Sequence, residues 1–416
     1  MAAISGHTKK SGAAETCSLC SLLAGFGRAV AAGRLGHSSA IYQVLLIVSQ
    51  LSAYLTNWIV LGWGPLFSIS FLLIWPAALL KLLSGGKSSE RMVLENMVFQ
   101  GTVLGPGLWN TFFADVCTPV RQCGATETIF ADDLNAFKEF PATETNNAIL
   151  EDLKVCQTAV HEWGLRNRAV FDPTKEHFAV IHHVFGEGDD FKLLGVVFDV
   201  KLSMSSAVDA IVQKAGPKLT ALLRTRFCYD SEAMIQCYKS HVLCLLEAAN
   251  SSIYHACDTV LARLDTLQHR FLRRLSLTES EAFVNHNLAP LGLRRDIGML
   301  GLLFKCIRKE AHPELCSLFA LSPSMPSLHN TRLAAAKHDV QVVDEASDAS
   351  LNAFRRSIFG LVKVWNLLPF EIVHSPSVSC FQKALTALAK RLCVQDNAHW
   401  AIRFSPRSTQ HVLLLR

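Results

Sequence analysis

The segment Phe130-Ala131-Asp132-Asp133-Leu134 constrains this chain more than any other. Two adjacent carboxylates stand between short apolar runs, Thr128-Ile129-Phe130 before them and Leu134 after. The pattern reads as a β-hairpin that presents both acids at its turn. Carboxylates at a tight turn suit a hard cation such as Mg²⁺, which is held by one or two carboxylates together with substrate phosphates. Two such ions can clamp the attacking and leaving oxygens of a phosphoryl transfer. Taken alone, an Asp-Asp pair is more often a solvated turn.

Other segments fall in order around it. Gln100-Gly101-Thr102-Val103-Leu104-Gly105-Pro106 precedes the acids, and Leu193-Leu194-Gly195-Val196-Val197-Phe198-Asp199 follows them. Between lie Trp163-Gly164-Leu165, Asn167 and Phe171-Asp172-Pro173-Thr174-Lys175. Further on come Cys237-Tyr238-Lys239-Ser240-His241-Val242-Leu243, the run from Leu261 to Leu275, and Val364-Trp365-Asn366-Leu367-Leu368-Pro369. This series resembles the reverse transcriptases of non-LTR (LINE-type, jockey-like) retrotransposons, over roughly Val93 to Leu392.

The resemblance implies an α+β fold: an incomplete reverse-transcriptase palm, a small antiparallel sheet with flanking helices, followed by α-helical thumb-like and C-terminal regions. It implies Asp132 and Asp133 as metal-binding acids for Mg²⁺ or Mn²⁺. Gln100 and Gly101 become the nucleotide- and template-contacting turn, where a glycine lets backbone approach a ligand closely. Lys175 becomes the lysine that protonates or neutralises the leaving pyrophosphate, and Leu194 and Gly195 the primer grip. An RNA template and a DNA primer are the partners implied. Each residue also has a structural reading: Gly101 in a turn, Lys175 on the surface after a Pro turn, Leu194 in the core.

One part of the pattern is missing. The family's first catalytic aspartate lies upstream of the QG segment, in a motif like F-x-D-x-x-x-A-F-D, on a strand that sits beside the acid hairpin. Here no aspartate precedes Asp115, and the only acids before position 100 are Glu15, Glu90 and Glu95. The fingers also have no counterpart. The expectation is therefore a reduced sheet around Asp132 with the hairpin left as an edge. Helices at 108–118 and 144–163 should flank it, with strands near Met92–Phe99 and Lys192–Phe198 packing nearby.

The apolar content, 50% of residues, is concentrated in one place. From Leu35 to Leu80 there is no Asp, Glu, Lys or Arg, a run of 46 residues. That is long enough for two bilayer-crossing helices of about 20 residues each. The spans would be Ile41 to Val60 and Pro65 to Leu83, turning at Gly62-Trp63-Gly64-Pro65, with Trp58, Trp63 and Trp75 at interfaces. Basic flanks (Lys9, Lys10, Arg28 and Arg34 before, Lys81, Lys87 and Arg91 after) would keep both ends cytoplasmic. Residues 38–84 thus predict a lipid bilayer partner and a membrane location; otherwise the chain is cytoplasmic or nuclear. Gln43, Gln50 and Asn57 keep a buried core hairpin open as the alternative.

The 13 cysteines scatter without regular spacing, which fits a reducing compartment and no disulfide framework. Cys17-Ser18-Leu19-Cys20 is half of a zinc site with no second pair to complete it. Charge is divided unevenly. Positions 100–200 hold 7 basic and 15 acidic residues, and positions 201–310 hold 15 basic and 10 acidic. An acidic segment offset by divalent cations beside a basic helical one suits a palm and a thumb holding a duplex, although ordinary solvated helix charge gives the same counts. In the basic segment, Met234, Cys237, Tyr238, His241, Val242 and Leu245 share one helical face. Leu261, Leu264, Leu267, Phe271 and Leu275 share another, with Arg263, Arg270, Arg273 and Arg274 outward to meet phosphates.

The organisation expected is a tail at 1–37, the hydrophobic pair at 38–84, a partial palm at 90–202, a basic thumb-like region at 203–320, a linker at 321–350 and a helical tail at 351–416. Three functions compete: an RNA-directed DNA polymerase impaired by the missing aspartate, a non-catalytic nucleic-acid-binding remnant, and a membrane-anchored remnant.

Overall fold

The structure is a computed structural model. It describes residues 103, 105–141, 143–167, 169–182, 186–322, 338–346 and 352–407, and the backbone of six further strands between 41 and 94. The fold is α+β, with small antiparallel sheets and many helices. Two compact units divide it: residues 39–191 form one, and residues 1–38 with 192–416 form the other.

The six early strands are β1 (Ile41–Val48), β2 (Leu51–Ala53), β3 (Ala78–Leu80), β4 (Leu83–Ser84), β5 (Lys87–Ser88) and β6 (Met92–Leu94). The helices α1 (Gly105–Phe113) and α2 (Cys117–Gln122) follow, then the hairpin strands β7 (Thr126–Phe130) and β8 (Asp133–Pro141). Helix α3 (Asn146–Asn167) leads to β9 (Ala169–Phe171) and β10 (Glu176–Ile181).

The main sheet runs in the order β10-β1-β8-β7, antiparallel throughout. Helices α1 and α2 connect β1 to β7, and α3 connects β8 to β10. In each case the two connected strands are parallel and a third lies antiparallel between them. The sheet is therefore two interleaved split β-α-β units. Leu134 and Ala136 of β8 are buried with Phe112, Phe113, Val116 and Val120, and with Cys156, Val160 and Trp163 of α3. Period-2 alternation puts these β8 side chains on one face and Asp133, Asn135 and Phe137 on the other.

Three expectations need correction. No helix among the described residues is long and apolar enough to cross a membrane. The first expected span opens instead with β1, which pairs along its length with β8 on one side and β10 on the other. Ile41, Tyr42, Val44, Ile47 and Val48 are β-branched or aromatic, and such residues fit a pleated ladder better than a helix. The first span also holds β2 and the second holds β3 and the start of β4; the rest of both spans lies outside the described residues. The transmembrane hairpin at 38–84 falls with this, and so do the lipid bilayer partner and the membrane location drawn from it.

The acid hairpin is an edge on one side only, because β1 covers β8 while β7 ends the sheet. The strand near Met92 does not join this sheet either; β6 pairs with β3. The flanking helices stand close to where the sequence puts them.

At the sequence boundary of the two units, β11 (Phe191–Leu193) and β12 (Val196–Phe198) make a small hairpin of their own. Beyond it the chain is helical: α4 (Ser205–Arg224), α5 (Ser231–Tyr238), a π-helical turn at Lys239–Leu243, α6 (Cys244–Glu247), α7 (Asn250–Ile253), α8 (Asp258–Arg274), α9 (Glu279–His286), α10 (Leu291–Ile307) and α11 (Pro313–Ser317). After residues 338–346 come α12 (Asn352–Arg355), α13 (Val362–Trp365), α14 (Phe370–Val373) and α15 (Val378–Val394). One core joins Phe283, Phe304, Phe359, Trp365 and Phe381. Val342 and Ala346, inside the segment read as a linker, are packed into it.

This unit buries polar groups as well. Tyr254 donates a 2.6 Å hydrogen bond to Asp296, and both are inaccessible to solvent. Burial pushes the Asp296 carboxyl up to about 6, against the pull of Tyr254, Arg407 and Arg295. Burial holds the His255 imidazole down to about 4, although its Nε2 lies 3.0 Å from the Leu202 carbonyl.

The two groups have opposite linkage signs. A carboxyl raised on folding stabilises the fold below its unfolded pKa of 3.8, and that contribution is lost as pH rises through about 6. An imidazole lowered on folding stabilises above 6.5, and that is lost as pH falls through about 4. Between these values the two slopes offset one another. Asp296→Asn keeps an acceptor for Tyr254 and removes the first slope. The variant is expected to be more stable than wild type by about 3 kcal/mol at pH 8, to lose stability steadily from pH 6.5 to 4, and to converge on wild type near pH 4. Urea titrations across that range check it; parallel pH profiles for the two proteins would contradict it.

Candidate functional site

Phe130 pairs with Asp133, so Ala131 and Asp132 alone form the loop of the β7–β8 hairpin. Ala131 has φ 53°, a left-handed conformation that ordinarily favours glycine at this position of a two-residue turn. Trp109 of α1 holds it there: its indole N–H donates to the Ala131 carbonyl at 2.6 Å. Trp109 stacks on Phe113 with centroids 5.2 Å apart, and Phe113 meets Trp163 of α3 edge-on at 5.7 Å. The turn is thus tied through an aromatic cluster to both helices beneath the sheet. Asp132 and Asp133 emerge from it half-buried.

The register fixes what stands near them. Val48 of β1 is opposite Leu134 on one side and Glu176 on the other. Asp133 and Lys175 each lie one residue beyond that row, at the same end of the sheet, with β1 between their strands. Two strand spacings put their backbones roughly 10 Å apart. Lys175 closes the 3₁₀ turn Pro173–Lys175, which Asp172 caps by accepting from the Thr174 N–H at 3.0 Å and its hydroxyl at 2.7 Å. The Lys175 ammonium is 3.6 Å from Asp172, whose carboxyl is held below its ordinary range by the Thr174 bonds first and by Lys175 after them. Beneath the row, the buried Glu176 side chain meets His161 at 2.7 Å and also Gln157.

The remaining expected residues divide. Gln100 and Gly101 lie outside the described residues, as do Glu15, Glu90 and Glu95. Leu194 (φ 47°) and Gly195 (φ 88°) form the β11–β12 turn, with both central residues left-handed as a type I′ hairpin requires. From Lys192 on that hairpin belongs with the helical unit, whereas the acids belong to the unit of residues 39–191. Arg263 is committed to Asp209 at 2.8 Å and to Ser205 at 2.9 Å. Arg273 and Arg274 are exposed at the end of α8 and Arg270 half-buried just before them.

Among the described residues no three His, Cys, Asp or Glu side chains converge as a metal site. The donors at the turn are two neighbouring carboxylates. They fit one hard cation that also takes substrate phosphates, and they do not fit a two-ion clamp, which needs acids from a second element. Asp296, the one carboxyl among the described residues pushed up to about 6, is a buried group of the other unit.

Two residues of this site escape sequence reading. Trp109 carries no signal beyond being aromatic on an apolar helix. Asn135 is buried on the Asp133 face of β8, opposite Thr128, with neither amide atom hydrogen-bonded. Its place between the apolar Leu134 and Ala136 is the one hint of it. Protein-family models, curated proteins and solved structures contain no match to this chain.

Proposed function

We propose that residues 39–191 are a palm of the non-LTR reverse-transcriptase type that has lost its first metal-binding acid, and that the chain holds nucleic acid without extending it. One observation carries this reading: β1 stands beside the acid hairpin, between β8 and β10, in the place where the family's first aspartate strand is expected. The acid turn and Lys175 come to the same end of that sheet. Yet no Asp or Glu occurs anywhere from 41 to 89. On this reading β1 stands in that place without a carboxylate, so among the described residues in-line transfer between two ions lacks a second ligand set.

The helical unit supports binding. Positions 201–310 carry an excess of basic residues. Arg270, Arg273 and Arg274 lie within a single stretch at the end of α8. Neutralising phosphates releases counterions, so affinity should fall steeply with salt. For a labelled single-stranded oligonucleotide, log K against log [salt] is expected to be linear. Replacing Arg270, Arg273 and Arg274 together by Gln should reduce its slope by roughly 2. Fluorescence anisotropy from 25 to 300 mM salt measures both. Affinity independent of salt, or no binding at the lowest salt, would count against the reading.

A further inference from the structure

The turn from α4 to α5, Arg224-Thr225-Arg226-Phe227-Cys228-Tyr229-Asp230, presents aromatic rings to solvent in a setting of arginines. Phe227 is 81% exposed and Tyr229 54%. Single exposed apolar side chains are common on any protein; two aromatics within three residues, directly preceded by two arginines, are a denser arrangement. The Arg226 guanidinium lies 3.9 Å from the Phe227 ring centroid and donates to the Leu223 carbonyl at 3.1 Å. It thus steadies one face of that ring and leaves the other open. Arg224 is exposed on the last turn of α4. The acids on this stretch are Asp230, whose carboxylate caps α5 through the Ala233 N–H at 2.7 Å, and Glu232 in the first turn of α5.

The packing of α4 on α8 adds more positive charge at this end. His255, just before α8, reaches the Leu202 carbonyl just before α4, and Arg263 reaches Ser205 and Asp209 in the first turns of α4. The two helices therefore start together and run in the same direction. Their C-terminal ends, one carrying Arg270, Arg273 and Arg274 and the other leading into Phe227 and Tyr229, lie toward one end of the unit.

We infer that the turn at 225–230 is a stacking platform for unpaired bases, with Phe227 and Tyr229 taking base faces while Arg224, Arg226 and the α8 arginines hold the phosphates. This rests on the nucleic-acid-binding reading above and names where and in which form the nucleic acid is held. Exposed aromatics beside cations match a single strand, whose bases offer π-faces and whose backbone offers regular negative charge. A protein partner would call for an apolar patch of several hundred Å², which two rings among arginines do not supply.

The test uses the full chain, a labelled 20-nucleotide deoxythymidine strand and a blunt duplex of equal length, with Phe227→Ala/Tyr229→Ala as the variant. Both side chains are exposed, so thermal unfolding should be unchanged. Single-strand affinity is expected to fall roughly tenfold or more, with the salt slope and the duplex affinity unaltered. Wild-type binding that survives the double substitution would overturn the platform and leave the broader reading standing. Equal losses for single strand and duplex would also overturn it, since stacking requires unpaired bases. If wild type binds neither nucleic acid at low salt, the platform and the broader reading fail together.

Discussion

Replacing Leu45 by proline is expected to unfold the unit of residues 39–191 while the helical unit stays folded. Leu45 lies in the middle of β1, opposite Phe137 of β8 and Ala179 of β10. Proline has no N–H to give the ladder, and within sheets it is confined to edges, first positions and bulges. Here both neighbours are strands, so a carbonyl of β8 or β10 loses its donor in the interior of the sheet. One lost bond with its unsatisfied partner costs about 1–3 kcal/mol. The ring also forces apart strands that bury Leu134, Ala136 and Val180. Trp163 is buried in this unit and reports its loss by fluorescence; limited proteolysis should release the helical unit intact. A variant with unchanged Trp163 burial and protease resistance would show that β1 is not a central strand.

Trp365→Ala should have the second large effect, in the other unit. Trp365 is 1% exposed and packs among Phe304, Phe381 and His338 at centroid distances of 6.3, 5.8 and 5.8 Å. Its indole N–H donates to the Val340 carbonyl at 2.9 Å, and its own carbonyl meets His338 Nε2 at 3.0 Å. The next residue continues the pattern: Asn366 accepts from the Val342 N–H at 2.9 Å and donates to its carbonyl at 2.8 Å. The Trp-Asn-Leu-Leu-Pro segment therefore fastens residues 338–346 onto the core. Truncating a buried aromatic costs about 3–5 kcal/mol. Urea unfolding of the helical unit should show a loss of that size, with 338–346 exchanging its amides faster. A loss below about 1 kcal/mol would mean that the site collapses freely or that the segment is held by other contacts.

Much of this was legible in the residues. Two acids between β-formers gave a hairpin with a two-residue turn, and the apolar periodicity of Leu261, Leu264, Leu267 and Phe271 gave the buried face of α8. The face of the preceding helix was read one residue out of phase beyond Tyr238. Val242 is buried as expected, but His241 is exposed and Leu245 half-buried, whereas Leu243 and Leu246 are buried. The cause is the π-helical turn at Lys239–Leu243, whose extra residue per turn advances the inward face. Residues 41–48 point to a helix in sequence because a continuous apolar run shows no period and its length favours one. The partners that make β1 a strand lie about 90 and 130 positions further along, which no local pattern records. Trp109 carries no local signal for the same reason: its role comes from a carbonyl 22 residues away.

Primer extension tests the central claim most directly. The full chain is mixed with a labelled DNA primer annealed to an RNA template, the four deoxynucleoside triphosphates and either Mg²⁺ or Mn²⁺. The same samples are run on native and denaturing gels. A palm that keeps its acid hairpin but has no carboxylate on β1 should retard the primer–template on the native gel. On the denaturing gel it should leave the primer at its starting length, as an Asp132→Ala variant does. Extension by wild type that Asp132→Ala abolishes would contradict the account, because it would require a second metal-binding acid that the stretch from 41 to 89 does not contain.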